Sequence, residues 1–370
     1  MDTFDLRTEI PALDDGIYLN WGASGPSPRR VVERAEAALE QHEYEAPNEE
    51  GMYPAAFEVY DRTRETIASF VNARPGEIAL TQSTTDGINR VATARSWSAD
   101  DEVVITDIEH SAGRLPWYRL ERERGITVTV LETDEGYIDP SELAVAADDA
   151  TLVCFSAVDW IYGRRHPVSD LVDVVADAGA ISLVDAVQVP GQMAMDLTEW
   201  GADVVAAAGH KWLLGPWGAG FLYVDESIVD TFQPQSVGYR SVEDPNEADF
   251  TYNPGAHRFE VATTSPAPYA GLQEAISTLS EIGMDAIEER IRSLTEYLKD
   301  GLSDDRLRSP RSYHSGLVSI ETAQPAEIVE DLATAGIHVR ALPVPETIRI
   351  SLHAVNTEEA VDAVLEHIGT

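Results

Sequence analysis

The residue with the clearest chemical purpose in this sequence is a lysine. The chain has only two lysines, Lys211 and Lys299, against 24 arginines. Lys211 stands between His210 and Trp212, in a stretch so rich in glycine that a loop is favoured over a helix. A desolvated amine can lose its proton and condense with a carbonyl group, which a guanidinium cannot do. We therefore predict that Lys211 forms a Schiff base with pyridoxal phosphate (PLP); the alternative is a surface lysine in a turn.

Two other reactive side chains also follow apolar runs that are typical of buried strands. Asp185 ends one such run and His110 comes shortly after another, as Lys211 does. The carboxyl ends of parallel strands meet at one edge of a sheet, where ligands of α/β proteins bind. These three side chains can therefore line one crevice. The runs are 102–106, 181–185 and 204–207.

A possible phosphate site precedes a predicted helix near residue 84. The short strand 78–80 is followed by Ser83, Thr84 and Thr85 and then by a helical pattern. Free N–H groups and the positive dipole end of a helix bind phosphate, and hydroxyl groups can add donors. The same residues also suit a simple helix cap. The sequence leaves both interpretations open.

Short apolar strands alternate with helical segments as far as Val224, which predicts an α/β domain with a mainly parallel sheet. A smaller C-terminal α+β domain is expected to follow. The predicted division is an N-terminal segment over 1–18 that packs with the small domain, a large PLP-binding domain over 19–264, and a connector helix with the small domain over 265–370. We expect one long helix over 272–302 and a strand over 338–342.

The composition limits the classes of partner. The net charge is −39 and is spread along the chain, which disfavours nucleic acid and anionic membranes. A cationic partner is one explanation. The even spacing of the charge and the scarcity of lysine favour a second explanation, which is that the protein is halophilic and works in concentrated salt. There the Debye length falls to about 3 Å. With no leader and no long apolar run, we expect a cytoplasmic protein.

The single cysteine, Cys154, excludes an internal disulfide. It lies within the apolar run 151–155 and is expected to be a core residue rather than a nucleophile. No metal-ligand set is predicted.

Four segments together carry a family resemblance over nearly the whole chain, from Tyr18 to Ile368. The sequence resembles fold-type I PLP enzymes of the class V aminotransferase and cysteine desulfurase-like group, including isopenicillin N epimerase-like and selenocysteine lyase-like relatives. This implies a three-layer sandwich in the large domain and a homodimer with active sites near its interface. The matching segments are 184–191, 209–218, 258–260 and 349–356.

The resemblance also implies roles for individual residues. Lys211 would be the Schiff-base lysine, Asp185 the partner of the pyridine nitrogen, and His110 the imidazole on the ring face. Arg349 would hold the substrate carboxylate in a bidentate pair, unless it forms a surface ion pair. The remaining implied cofactor contacts are Gln188 to the phenolic oxygen, Thr84, Thr85 and His210 at the phosphate, and Thr263 to the phosphate of a neighbouring subunit.

Three departures from the family pattern bear on the activity. Ala208 stands where a serine is usual, and Asp159-Trp160 replaces a Ser-Asn pair. The loop 341–347 is short and has no cysteine where cysteine desulfurases carry their reactive one. Sulfur transfer through an enzyme persulfide is therefore not expected, and the family name does not settle the activity.

The leading hypothesis is an enzyme that acts on an amino acid through Lys211, as an aminotransferase or a lyase. An epimerase of the same fold and a PLP-binding protein without turnover remain alternatives. A nicotinamide-dependent dehydrogenase is a weaker one, because no G-x-G-x-x-G follows an early strand.

Overall fold

The structure is a computed structural model that describes residues 2–344 and 346–369. Pro345, part of the cysteine-free loop 341–347, lies outside them. The strands within these ranges are β1 (Ile17–Tyr18), β2 (Ile78–Thr81), β3 (Glu102–Thr106), β4 (Thr127–Leu131), β5 (Leu152–Ser156), β6 (Ile181–Asp185), β7 (Val204–Ala208), β8 (Gly220–Val224), β9 (Leu317–Glu321), β10 (Ile337–His338), β11 (Arg340–Ala341) and β12 (Thr347–Ser351).

The helices flank these strands. They are α1 (Thr3–Thr8), α2 (Arg29–Glu40), α3 (Met52–Phe70), α4 (Thr84–Thr93), α5 (Ser111–Arg124), α6 (Pro140–Ala147), α7 (Val168–Asp177), α8 (Leu197–Trp200), α9 (Ala267–Ile282), α10 (Met284–Asp300), α11 (Pro325–Thr334) and α12 (Glu358–Ile368). None of the described helices is long and apolar enough to span a membrane.

The central sheet has seven strands in the order β2-β8-β7-β6-β5-β3-β4. The five strands from β7 to β4 run parallel, whereas β8 is antiparallel to both of its neighbours. Strands β5 and β7 are buried throughout, as expected for strands covered by helices on both faces. The predicted mainly parallel α/β fold is confirmed.

Alternate residues of each central strand enter two different cores. Val153 and Phe155 pack into the larger apolar cluster, while Leu152 and Cys154 pack into a second cluster on the opposite face. This period of two follows from the strand pleat, in which successive side chains point to opposite faces. The result is the three-layer arrangement of helices, sheet and helices.

The C-terminal part contains a second, antiparallel sheet with the order β11-β12-β9. Strand β1 pairs in parallel with β10, so the N-terminal segment lies against this part of the chain. The cluster around Leu294, Val318 and Ile350 forms a separate core here. On this basis we retain, as a proposal, the division at residues 18/19 and 264/265.

Two details of the predicted elements are wrong. The expected single helix over 272–302 is two helices, α9 and α10, separated by Gly283 at φ = 93°. A helix cannot continue through that conformation, which glycine adopts without a Cβ penalty. The expected strand over 338–342 is also divided: β10 pairs with β1, whereas β11 pairs with β12.

Candidate active site

A cavity lies at the carboxyl ends of the parallel strands and against the C-terminal sheet. It brings together eight of the nine predicted site residues. Those eight are Thr84, Thr85, His110, Asp185, Gln188, His210, Lys211 and Arg349.

Lys211 follows β7 in a tightly folded loop. Its carbonyl accepts from the Leu214 N–H at 3.1 Å, and the neighbouring His210 carbonyl accepts from the Gly25 N–H at 2.7 Å. Burial, opposed by the Asp185 carboxylate and reinforced by Arg349, lowers the pKa of Lys211 to about 7. An amine with this pKa is largely unprotonated just above neutrality, as a nucleophile that attacks a carbonyl must be.

Asp185 ends β6 and is only 3% exposed. Its Oδ1 accepts from the Val187 N–H at 3.0 Å, and within the described residues no cationic side chain forms an ion pair or hydrogen bond with it. Burial raises the pKa of Asp185, opposed by this hydrogen bond and by Lys211. A buried carboxyl group in this state fits a cationic ligand atom, such as a protonated pyridine nitrogen.

The hydroxyl residues at the start of α4 differ in their roles: one caps the helix, and the others are available for phosphate binding. Ser83 is the helix cap, because its hydroxyl accepts from the Asp86 N–H at 3.1 Å. Thr84 is buried, and its hydroxyl oxygen has no hydrogen-bond partner among the described residues. Thr84 and Thr85 therefore remain available to a ligand phosphate at this helix terminus.

Both cavity histidines are held neutral. Burial lowers the pKa of His110 to about 4, and Lys211 adds to the effect. Burial likewise lowers the pKa of His210 to about 4, with the same lysine contributing. The His110 ring packs edge-on against Trp160 at a centroid distance of 5.3 Å, which fixes its orientation over the cavity.

Arg349 in β12 is 1% exposed, so it does not form the surface ion pair considered above. One guanidinium nitrogen, Nη1, donates to the Trp160 carbonyl at 2.7 Å, while Nε and Nη2 have no hydrogen-bond partner within residues 2–344 and 346–369. Burial, aided by Arg340, lowers the pKa of Arg349 to about 9, so it is still a cation at neutral pH. Unpartnered buried donors of this kind are suited to a carboxylate ligand.

Two of the predicted site residues have a less direct relation to the cavity. Gln188 reaches the cavity, but its amide donates to the Gly22 carbonyl at 3.0 Å and accepts from the Trp212 indole at 2.8 Å. One amide N–H therefore remains for a ligand. Thr263 does not line the cavity; its hydroxyl lies 2.6 Å from the Tyr239 hydroxyl.

Asp159 and Trp160, which depart from the family pattern, shape the cavity wall. The buried Asp159 carboxylate accepts from the backbone N–H groups of Ile161 at 2.9 Å and Arg164 at 2.7 Å, and so holds the turn. This turn presents the Trp160 carbonyl to Arg349 and places Trp160 in the lining of the cavity.

Sequence reasoning missed three residues beside the predicted ones. Arg340 and Ser156 line the cavity, and the buried Glu109 carboxylate accepts hydrogen bonds from the Ser156 N–H at 2.9 Å and from the Ser156 hydroxyl at 2.7 Å. Burial raises the pKa of Glu109 to about 8. The acid immediately before His110 was a visible signal for Glu109. Arg340 and Ser156 carried none, because their positions depend on strand register.

Comparison with known proteins places this site in a family. The family model described as Aminotransferase class-V matches residues 17–364. The chain belongs to the class-V aminotransferase family. Curated relatives named probable cysteine desulfurase come from Methanothermobacter thermautotrophicus (33% identical, covering 99% of this chain and 97% of the relative), Pyrococcus abyssi (31%, covering 98% and 95%) and Halobacterium salinarum (30%, covering 97% and 92%).

Solved structures resemble this class-V enzyme along its length. The apo cysteine desulfurase of Thermococcus onnurineus superposes with a TM-score of 0.91 at 29% identity, covering 98% of this chain and 96% of its own. A C-DES mutant with glycine covalently linked to its PLP cofactor gives 0.92 at 26% identity, covering 98% of both chains. The cystine C–S lyase C-DES, in complex with cysteine persulfide, gives 0.91 at 26% identity, covering 97% and 98%.

This class-V member is therefore a PLP-dependent enzyme with the fold of type I PLP transferases. Its cavity fits the cofactor on independent grounds. Lys211, with its lowered pKa, suits the aldehyde of PLP, and the buried Asp185 carboxyl suits its ring nitrogen. The Thr84 hydroxyl, which has no partner among the described residues, suits its phosphate.

Proposed function

We propose that this enzyme is a PLP-dependent lyase that cleaves the C–S bond of a cysteine-related amino acid by β-elimination, without a cysteine nucleophile. The observation that carries the proposal is the position of Cys154. This residue, the only cysteine, is fully buried in β5 and does not line the cavity. Burial raises its pKa well above the ordinary value, which keeps it a thiol.

The names of the relatives suggest two different reactions, and the position of Cys154 supports one of them. Several are named probable cysteine desulfurase, whereas C-DES is described as a cystine C–S lyase with cysteine persulfide as its product. The family resemblance implies a reactive cysteine for desulfurases in the loop that corresponds to 341–347, where this chain has none. Direct elimination needs no such residue, so it agrees better with this cavity.

Each cavity residue has a proposed role. PLP, when bound, supplies an aldehyde for amines and a ring that withdraws electrons from the substrate. Lys211 is the amine that reacts with this aldehyde, and Asp185 pairs with the ring nitrogen. Thr84, Thr85 and His210 hold the phosphate, His110 covers the ring face and Gln188 contacts the phenolic oxygen.

The reaction then depends on one proton transfer at the substrate. Arg349 holds the α-carboxylate through Nε and Nη2, which keeps Cα beside the Lys211 amine. The Cα–H bond breaks and its proton passes to Lys211. The Cβ–S bond breaks, and the sulfur leaves with the bonding electron pair and takes up a proton. Water completes the balance: L-cystine and water give pyruvate, ammonia and cysteine persulfide.

A product assay of the PLP-loaded enzyme in concentrated salt tests this proposal. We expect pyruvate and reduced sulfur in equal amounts from L-cystine or L-cysteine. Accumulation of pyridoxamine phosphate with a keto acid would instead identify an aminotransferase, and loss of Cα stereochemistry alone an epimerase. No spectral change with any amino acid would favour a PLP-binding protein without turnover.

We also propose that the enzyme is a homodimer in which Thr263 contacts the phosphate in the neighbouring subunit. The support is its position outside its own cavity and beside the exposed Tyr53, Tyr239 and Leu39. Replacement of Thr263 by alanine should weaken PLP binding only in the dimer. Sedimentation of the PLP-loaded protein gives the oligomeric state, and a monomer that binds PLP fully would contradict the assignment.

A further inference from the structure

The turn that follows β5 is held from within by one buried carboxylate. Residues 159–164, which we call the Asp159 turn, are closed by a bond from the Asp159 N–H to the Arg164 carbonyl at 3.0 Å. The side chain of Asp159 is fully buried and accepts from the N–H groups of Ile161 (2.9 Å), Tyr162 (2.5 Å) and Arg164 (2.7 Å). A carboxylate only accepts hydrogen bonds, so it suits three N–H groups that point inward.

Two consecutive carbonyls of the Asp159 turn are bound by the C-terminal sheet. Arg349 in β12 donates through Nη1 to the Trp160 carbonyl at 2.7 Å, and Ser319 in β9 donates its hydroxyl to the Ile161 carbonyl. Arg349 and Ser319 are register partners in the antiparallel pair β12–β9, so their side chains lie on the same face. The turn therefore rests on two neighbouring side chains, one of which is the proposed ligand of the substrate carboxylate.

Close packing keeps the Asp159 turn in place on this sheet. A Cβ at Gly163, where φ is 69°, would lie 2.5 Å from the Leu317 carbonyl oxygen. The Ser315 hydroxyl also donates to the Gly163 carbonyl at 2.7 Å. Only glycine allows so close an approach of two backbones in this conformation. The position of the turn relative to β9 and β12 is thus fixed at both of its ends.

The turn controls the orientation of the Arg349 guanidinium. This group is planar and carries its donors on a rigid fork, so a bond from Nη1 to the Trp160 carbonyl fixes the plane. The remaining edge, Nε and Nη2, has no hydrogen-bond partner among the described residues. Two parallel donors on one edge are the arrangement that binds a carboxylate in bidentate fashion. The Trp160 carbonyl therefore selects which edge is presented to a ligand.

The charge of Asp159 acts against carboxylate binding, whereas the geometry of its turn favours it. Burial raises the pKa of Asp159 to about 6, so the group is mainly ionised at neutral pH. It also raises the pKa of Arg349, which shows that the two groups interact. A negative charge at this position repels a bound carboxylate. Loss of the charge alone would therefore strengthen carboxylate binding, and loss of the turn geometry would weaken it.

We propose that Asp159 is a positioning residue that, through the Trp160 carbonyl, orients Arg349 toward the α-carboxylate of the substrate. The proposal rests on the function proposed above, which assigns the α-carboxylate to Arg349. Asp159 is fully buried and does not line the cavity, so it acts through these two residues and not on the substrate.

L-Alanine and L-alaninamide test this role, because they differ at the α-carboxyl group and neither has a leaving group on Cβ. Binding is measured by titration of the visible absorbance of the PLP-loaded enzyme. In Asp159→Asn the amide cannot accept from all three N–H groups. We expect the affinity for L-alanine to fall about 10-fold and that for L-alaninamide to stay within about twofold. With L-cystine, KM should rise more than kcat falls.

Ser319→Ala tests the same turn without a change of charge. It removes the donor to the Ile161 carbonyl and should weaken L-alanine binding about threefold, with L-alaninamide unchanged. The matched control is Asp203→Asn, at the amino end of β7 and outside the cavity, whose carboxylate accepts from the Ser182 N–H and hydroxyl, both at 2.8 Å. This control should leave both affinities unchanged. Thermal unfolding and PLP content show that folded, loaded enzyme is compared.

Two results in Asp159→Asn would overturn the proposal. They are an affinity for L-alanine that is unchanged or stronger, and an equal loss of affinity for both probes. If that variant does not fold, an unchanged affinity for L-alanine in Ser319→Ala overturns it instead. No spectral change with any amino acid, or equal affinity of the wild-type enzyme for both probes, would refute the proposed function. A wild-type preference for L-alanine that persists in both variants would refute only the role of Asp159.

Discussion

At the scale of single residues, the two lysines show what distinguishes a reactive amine from a structural one. Both have a lowered pKa because of burial, about 7 for Lys211 and about 8 for Lys299. Lys299, however, donates to the carbonyls of Pro310 at 2.6 Å and Ser312 at 2.9 Å. Lys211 has no such acceptor among the described residues and faces the cavity. The difference therefore lies in the hydrogen-bond partners, not in desolvation.

Replacement of Lys211 should abolish the covalent link to PLP. In Lys211→Ala and Lys211→Arg we expect the visible absorbance of the lysine-linked cofactor to disappear. Turnover should fall by at least about 10³-fold, which is the order of magnitude that a proton-transferring or nucleophilic residue contributes. The arginine variant fails because a guanidinium does not deprotonate. Lys299→Arg is the control and should keep both signals. An unchanged spectrum in Lys211→Ala would contradict the assignment.

Removal of Cys154 should leave catalysis intact. Cys154→Ala deletes one buried sulfur atom, for which we expect a loss of about 1 kcal/mol in unfolding free energy. Because this change in stability is small, turnover of the folded variant should stay within about twofold of the wild-type value. Chemical denaturation and the pyruvate assay measure the two effects separately. A folded variant without activity would show that the thiol takes part in the reaction.

Glu109 should make stability depend on pH. Its pKa is raised from 4.5 to about 8, mainly by burial, so the fold favours the protonated form. That contribution is complete below about pH 4.5 and declines as the pH rises to about 8. Glu109→Gln stays neutral and can keep the contacts to Ser156, so its stability relative to wild type should increase over this range.

Unfolding by denaturant at pH 5 and pH 8.5 tests the effect of Glu109. The exposed residue Glu121, on the following helix α5, provides the control variant Glu121→Gln. A difference between Glu109→Gln and wild type that does not change with pH would show that the Glu109 carboxyl titrates alike in the folded and unfolded states.

At the scale of secondary-structure elements, the site depends on two loops that follow neighbouring strands. The loop after β6 contains Gly191 at φ = 101°, and a Cβ there would collide with the backbone between Trp212 and Leu213. The loop after β7 contains Lys211. Since glycine alone allows this close approach, the two loops fix each other at the edge of the sheet.

A methyl group at Gly191 should disturb both loops. Gly191→Ala combines an unfavourable φ with a backbone collision, so we expect more than the roughly 1–2 kcal/mol that left-handed geometry alone costs, together with weaker PLP binding. Gly179→Ala is the matched control, because φ is 76° and nothing lies within 4 Å of the added Cβ. Urea unfolding and PLP titration compare them. Equal losses in both variants would mean that the close approach is unimportant.

The bounds of individual strands and helices show which elements the sequence pattern predicted correctly. Strands β3 and β6 have the bounds 102–106 and 181–185 that their apolar runs predict, and four of the five residues of each strand are buried under the helices. The helix over 272–302 failed at Gly283, whose position in a continuous helical pattern did not reveal its positive φ.

At the scale of the whole molecule, charge is the dominant feature. A net charge of −39 repels itself across the surface, and this repulsion opposes the compact state in dilute buffer. Mobile ions screen exposed charges over about 3 Å at 1 M salt but over about 10 Å at 0.1 M. The halophilic character remains a prediction from this argument.

The melting temperature should therefore rise as KCl is increased from 0.1 M to 3 M, and turnover should rise with it. Sorbitol at matched water activity is the control, because it stabilises compact states without screening charge. The same melting temperature at both salt concentrations would contradict the prediction, as would an equal gain in sorbitol.

The sequence by itself predicted the fold class, the cofactor and eight residues of the cavity, some from their local chemistry and the others from the family resemblance. Lysine within a glycine-rich loop, an acid at a strand end and hydroxyl groups before a helix are visible without coordinates. Arg349 was found through the family resemblance of segment 349–356, and the structure buries it at 1% exposure.

Only the tertiary structure decided which distant groups meet. Strand register puts Arg340 opposite Arg349, and a turn 189 residues away supplies the Trp160 carbonyl that Arg349 contacts. The tertiary structure also places Thr263 outside the cavity of its own chain. A pattern along the chain records which side chains are buried, but the register of separate strands and loops depends on packing across the whole molecule.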